Sequence, residues 1–141
     1  MTGPVLIIED EPHIAEVLRY SLEKAGFNTR VVLTGEEGLN ASLDRKNPPS
    51  LILLDLLLPG INGLESCQRL RDEPATLRTP IVITAKAFPF DIRTSLQFGA
   101  NDYFAKGFSV PEVVGQVRCL NSEGHIYEHI SLCPSRNGSS G

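Results

Sequence analysis

The sequence has no apolar run near the ~20 residues that a membrane-crossing helix needs; its longest runs, such as Leu51 to Leu54, have the length of strands. No basic, apolar leader opens the chain, so the expected location is cytoplasmic, with no membrane partner. Surplus positive charge is missing too. Thirteen Lys and Arg face 17 Asp and Glu, and the resulting net charge of −4 argues against a general affinity for nucleic acid. Cysteine is scarce: Cys67, Cys119 and Cys133 are odd in number and lack a CxxC spacing, which fits reduced thiols better than a disulfide framework. His125, His129 and Cys133 recur at four-residue intervals, but Gly124 and Pro134 interrupt them and no known metal-ligand spacing is matched.

What is present is globular. At 141 residues, with 41% hydrophobic and 21% charged residues, the chain can build one ordinary core and not two. There is no repeat of fixed period. Short apolar runs alternate with helical periodicity, the pattern of a doubly wound α/β sheet. Strands are predicted at 5–8, 28–33, 51–55, 81–83 (ending at Thr84) and 102–105. The first helix follows Pro12 with an inward stripe of Ile14, Val17, Leu18, Leu22 and Ala25. Thr34 with Glu37, Asn62 with Glu65, and Ser109 with Glu112 have the spacing of helix N-terminal caps. Another helix is expected at 91–98, and Val110, Val113, Val114, Val117 and Leu120 form the face of the last one. One domain is therefore expected over 1–120, with 121–141 a tail whose small polar end, RNGSSG, has the composition of a linker remnant or an appended sequence.

Four strand ends carry chemistry. Glu9, Asp10 and Glu11 follow the first strand, Asp55 ends the third, Thr84 ends the fourth and Lys106 follows the fifth. In a parallel sheet these residues share one edge, outside the carboxyl ends of the strands where ligands of such folds bind. Carboxylates with one hydroxyl and one ammonium suit a hard divalent cation such as Mg²⁺. They also suit attack of a carboxylate on a phosphoryl group, whose charge the cation and Lys106 would offset. Alone, each residue reads blandly, Asp55 as a loop acid and Tyr103 as packing; together they do not. Glu11 reads better as a helix N-terminal charge than as a metal ligand.

The segments IIEDEP, LLDLLLPGINGLE, VITAKA and DYFAKG, in this order and at these intervals, resemble the receiver domain of bacterial two-component response regulators over about residues 3 to 120. The resemblance implies a three-layer, flavodoxin-like, five-stranded parallel sheet of order 2-1-3-4-5. It implies Asp55 as phosphoacceptor, Mg²⁺ held by Asp10, Asp55 and the Leu57 backbone carbonyl with Glu9 acting through water, and Lys106 paired with the acceptor. Thr84 and Tyr103 match the family's switch pair, through which phosphorylation remodels the surface of the fourth helix, fifth strand and fifth helix. The implied partners are a sensor histidine kinase or phosphotransfer protein and a second copy docked through that surface, and the protein is a signalling domain, not an enzyme acting on free substrates. A Mg²⁺-dependent phosphatase would need a further acid or base to release the phosphoryl group, and none is evident.

Gly107 departs from the family, many members of which carry proline after the lysine, often with a cis bond. A non-proline cis bond costs roughly 3 kcal/mol or more, so the expectation is either a trans peptide with a shifted loop or strain held by the surroundings. A degenerate receiver that acts as a constitutive interaction module is the alternative, supported only by that glycine. Leu57 and Lys86 stand two residues past Asp55 and Thr84, where water would approach an acyl phosphate.

Overall fold

The computed structural model describes residues 3–85 and 89–123, with the backbone alone at 89–92 and 122–123. Lys86, the His125–His129–Cys133 series and the tail from 124 onward lie outside the described residues. Five strands, β1 (Val5–Ile8), β2 (Thr29–Val32), β3 (Leu51–Asp55), β4 (Ile81–Ala85) and β5 (Asp102–Ala105), alternate with helices α1 (Pro12–Lys24), α2 (Gly35–Ser42), α3 (Gly63–Asp72), α4 (Pro89–Gln97) and α5 (Val110–Glu123). All pairings are parallel and the strand order is β2-β1-β3-β4-β5, as expected.

Strand alternation divides the core. Val5, Ile7, Leu51 and Leu53 pack with Leu18 and Leu22 of α1 and Val113, Val117 and Leu120 of α5. Leu6, Ile8, Ile52 and Leu54 point the other way, to Ala41 of α2 and Cys67 and Leu70 of α3. Both faces of the central strands are therefore covered, which is why β1, β3 and β4 are apolar at nearly every position instead of alternating. At the edge, β2 is only partly buried and runs Thr29–Val32, one residue short at each end of the expected 28–33.

The caps form as their spacing requires. Thr34 and Asn62 accept from the amides of Glu37 (3.1 Å) and Glu65 (2.9 Å), and Ser109 accepts from Glu112 at 3.5 Å. Four expectations are corrected. Val17 is 38% exposed and Ala15 takes its place in the core, because residue 17 sits about 100° around the helix from Leu18, the centre of the buried stripe. Strand β4 runs through Thr84 to Ala85. Helix α4 starts at Pro89, which serves as a helix opener, and ends at Gln97. Cys119 is disulfide-bonded, whereas Cys67 is free and buried as the reduced-thiol reading expects, with its pKa pushed up to about 11 by burial.

Arg71 ties the lower part of the sheet. Its guanidinium donates to the carbonyls of Thr76, Leu77, Thr79 and Gly99 and to Asn101 Oδ1, and Asn101 in turn accepts from the Ile81 amide at 2.8 Å. Burial lowers its pKa, but the bonded carbonyls satisfy the donors that this burial removes from water. The starts of β4 and β5 are thus fixed to the end of α3, leaving the opposite edge of the sheet to carry the site.

Candidate functional site: an acidic cluster joined to Lys106

Register brings the predicted residues together. Ile8 pairs with Leu54, so Glu9 follows β1 beside Asp55; Asp55 itself pairs with Thr84 on β4. The Lys106 amide donates to the Ala85 carbonyl (2.7 Å), which holds the end of β5 level with the end of β4. Beyond β3 the chain turns sharply into α3, and the Gly63 amide donates to the Leu56 carbonyl at 2.8 Å. A Cβ at Gly63 would lie 2.5 Å from the Asp55 carbonyl oxygen and 2.6 Å from Leu56 Cα, so only glycine lets this turn close beneath the acid.

Glu9 and Asp55 are each 1% exposed. Asp10, by contrast, is exposed at the mouth. One carboxylate oxygen from each of the three lies within 4.8 Å of the others. Burial, with the hydrogen bond and charge of Glu9, raises the Asp55 pKa to about 8, against the opposing pull of Lys106 and the Leu57 amide. That amide donates to Asp55 Oδ1 at 3.2 Å, while the Leu57 side chain is 61% exposed. Glu9 Oε1 is buried without a hydrogen-bond partner among the described residues. A buried carboxylate oxygen left open beside two further acids is the donor chemistry a hard cation satisfies, so the residues present fit Mg²⁺.

Lys106 Nζ stands 3.3 Å from Asp55 Oδ2, 3.5 Å from Glu9 Oε2 and 2.6 Å from Glu11 Oε1. Burial pulls its pKa down, but the Glu11 hydrogen bond and the charges of Asp55 and Glu9 outweigh it, so the group stays above the ordinary lysine value. Glu11 stands at a helix N-terminus and outside the acidic cluster, as expected. It occupies the N-cap position of α1, yet its side chain makes no capping bond and goes to Lys106 instead. Only its backbone amide faces the acids, donating to Glu9 Oε2 at 3.2 Å.

No cis peptide bond occurs among the described residues, and Gly107 adopts φ +91°, with no atom of the described residues within 4 Å of where a Cβ would be. Of the two expected outcomes, the trans peptide is the one found. Glycine is what makes that turn accessible, since a proline cannot take a positive φ. Thr84 is buried, and Tyr103 is fully buried in the cluster containing Ile83 and Ala85, the neighbours of Thr84 in β4.

A doubly wound sheet of this order, with buried acids from β1 and β3 and a lysine from β5 at one edge, defines a signalling receiver. The chain belongs to the response regulator receiver domain family, whose pattern it matches over residues 5–118. It is 38% identical over 121 residues to the phosphate regulon transcriptional regulatory protein PhoB of Rhizobium meliloti, covering 85% of this chain and 52% of that protein. It is 40% identical over 116 residues to the response regulator ArlR of Staphylococcus haemolyticus, covering 82% of this chain and 51% of the relative. The chain thus spans about half the length of these curated relatives. Among solved structures, a proposed response regulator from Chloroflexus aurantiacus superposes with a TM-score of 0.80 at 36% identity, covering 86% of this chain and 99% of that one. The receiver domain of a signal transduction histidine kinase from Syntrophus aciditrophicus gives 0.79 at 33%, covering 94% and 99%. Among the described residues no helix is long and apolar enough to cross a membrane.

Proposed function

We propose that the protein accepts a phosphoryl group on Asp55 from a phosphohistidine of a histidine kinase or phosphotransfer protein in the cytoplasm. An Asp55 carboxylate oxygen attacks phosphorus, the P–N bond breaks, and the imidazole leaves with the electron pair and takes up a proton, leaving an aspartyl phosphate. The observation that carries this reading is the contact of Lys106 Nζ with Asp55 Oδ2 at 3.3 Å, made although Gly107 replaces the more usual proline. An ammonium so placed offsets charge on the transferred oxygens, and the Leu57 amide orients the carboxylate. Asp10, Asp55 and the Leu57 carbonyl, with Glu9 through water, would hold Mg²⁺. The cation supplies the charge that lets the crowded acids ionise together and neutralises phosphoryl oxygens.

Thr84, one register position across from Asp55, donates its hydroxyl to the bound phosphoryl oxygens, and Tyr103 responds to the shift of β4. The surface of α4, β5 and α5 then changes its affinity for a partner, a second copy or an output domain, as a population shift between two conformations. This unit includes the whole of α5, through Glu123, a little past the expected boundary at 120, and the tail beyond it is a linker remnant or an appended sequence. Any transcriptional role would lie outside it, consistent with the chain's net negative charge. The rival reading, a constitutive interaction module, draws on Gly107 alone, and the lysine contact speaks against it. Acetyl phosphate with Mg²⁺ tests the two: a gain of one phosphoryl group in intact mass, lost in Asp55→Asn, is expected, whereas no gain and no Mg²⁺ binding overturns the first reading.

A further inference from the structure

The shortest contact of Lys106 is not with the acceptor. Its ammonium lies 2.6 Å from Glu11 Oε1 and 3.3 Å from Asp55 Oδ2. Glu11 is well placed to compete. Its backbone is tied to the site by the amide bond to Glu9, and its carboxylate makes no cap on α1 that would draw it away. The main chain of Lys106 is held by its amide bond to the Ala85 carbonyl (2.7 Å), which fixes where the side chain starts but not where its ammonium ends. Side-chain partners therefore fix the ammonium, and the nearest of them belongs to neither the acceptor nor the cation-binding set.

We propose that Glu11 is a positioning residue that holds Lys106 toward α1 in the unphosphorylated protein and competes with the phosphoryl group on Asp55 for the same ammonium. This rests on Asp55 being the acceptor. A phosphoryl group brings close to two negative charges and draws Lys106 over, but part of the gain is spent in breaking the Glu11 contact. Glu11 thereby sets the threshold for the phosphorylated arrangement. Its carboxylate is about half exposed (55%), so solvent screens the contact and the effect is graded and salt-sensitive.

Beryllofluoride, a stand-in for the phosphoryl group, provides the test when titrated at saturating Mg²⁺ into the wild type, Glu11→Gln, Lys106→Met and the double variant. Glu11→Gln is expected to bind about two- to fivefold more tightly than the wild type. That gain is expected to vanish in the Lys106→Met background and to shrink as salt rises, and Glu11→Asp to fall between. In the unliganded protein, amine acetylation at Lys106, read by peptide mass, is expected to speed up in Glu11→Gln. Unchanged or weaker binding by Glu11→Gln overturns the proposal, as does an equal gain without Lys106, which would reflect charge alone. If the wild type binds no beryllofluoride, the assignment of Asp55 falls and takes this proposal with it, an outcome distinct from normal binding with no response to Glu11.

Discussion

Lys106 and Asp55, 51 positions apart, meet at 3.3 Å on the edge of the sheet, and both also face the buried carboxylate of Glu9. One ammonium thus answers several acids, so its removal leaves like charges crowded at the end of β1 and β3. Lys106→Met is expected to lower the stability of the metal-free protein by roughly 1–3 kcal/mol, measured by urea unfolding. Phosphorylation by acetyl phosphate should slow at least about tenfold in the same variant, through the lost stabilisation of the transferred oxygens.

The raised pKa of Asp55, about 8, fixes the sign of a pH effect. Between the ordinary carboxylate value and 8, the folded protein binds a proton at Asp55 that the unfolded chain has released. This group therefore makes stability fall as pH rises across that window. Asp55→Asn, which never ionises, is expected to flatten this part of the profile and to be more stable at pH 8 by an amount on the order of a few kcal/mol. Saturating Mg²⁺ should flatten the wild-type profile also, by favouring the ionised form. Thermal unfolding from pH 5 to 8 with and without Mg²⁺ reads all three.

Thr84 separates acceptance from response. Thr84→Ala keeps Asp55 and Lys106 and is expected to bind beryllofluoride with a loss of about ten- to a hundredfold, the scale of one hydrogen bond to a charged group. The chemical-shift changes at Tyr103 and along β5 should be absent in Thr84→Ala and return in Thr84→Ser, which restores the hydroxyl.

Gly63 tests how tightly the turn is closed beneath the acid. Gly63→Ala places a methyl group against the Asp55 carbonyl and Leu56 Cα, at 2.5 and 2.6 Å, and both are backbone atoms that can yield only by moving the strand end. A loss of about 1–3 kcal/mol is expected, together with weaker Mg²⁺ binding because the ligands shift.

Much of this was legible in the sequence because the periodicities agree with the tertiary layers. The runs at β1 and β3 and the caps at Thr34 and Asn62 all formed where pattern and capping chemistry put them. The meeting of Asp55 with Lys106 was legible as well, since parallel strands leave their last residues on one edge. Other features depended on long-range geometry. Residue 17 reads as core from apolar spacing, but the axis of α1 presents Ala15. The Glu11 contact crosses 95 positions, and local chemistry points only to a charge at a helix N-terminus. The Arg71 network was missed because four of its five acceptors are backbone carbonyls, which carry no residue signature. The early start of α4 could have been read from Pro89, a residue suited to a first helical turn.

Whether Asp55 itself takes the phosphoryl group is decided by locating the modified residue. Incubation with acetyl phosphate and Mg²⁺, followed by borohydride reduction and peptide mass spectrometry, converts an aspartyl phosphate to homoserine at the modified position. Homoserine is expected at residue 55, dependent on Mg²⁺ and suppressed in Lys106→Met. Modification at another residue, or none at 55 with the fold intact, would contradict Asp55 as the acceptor.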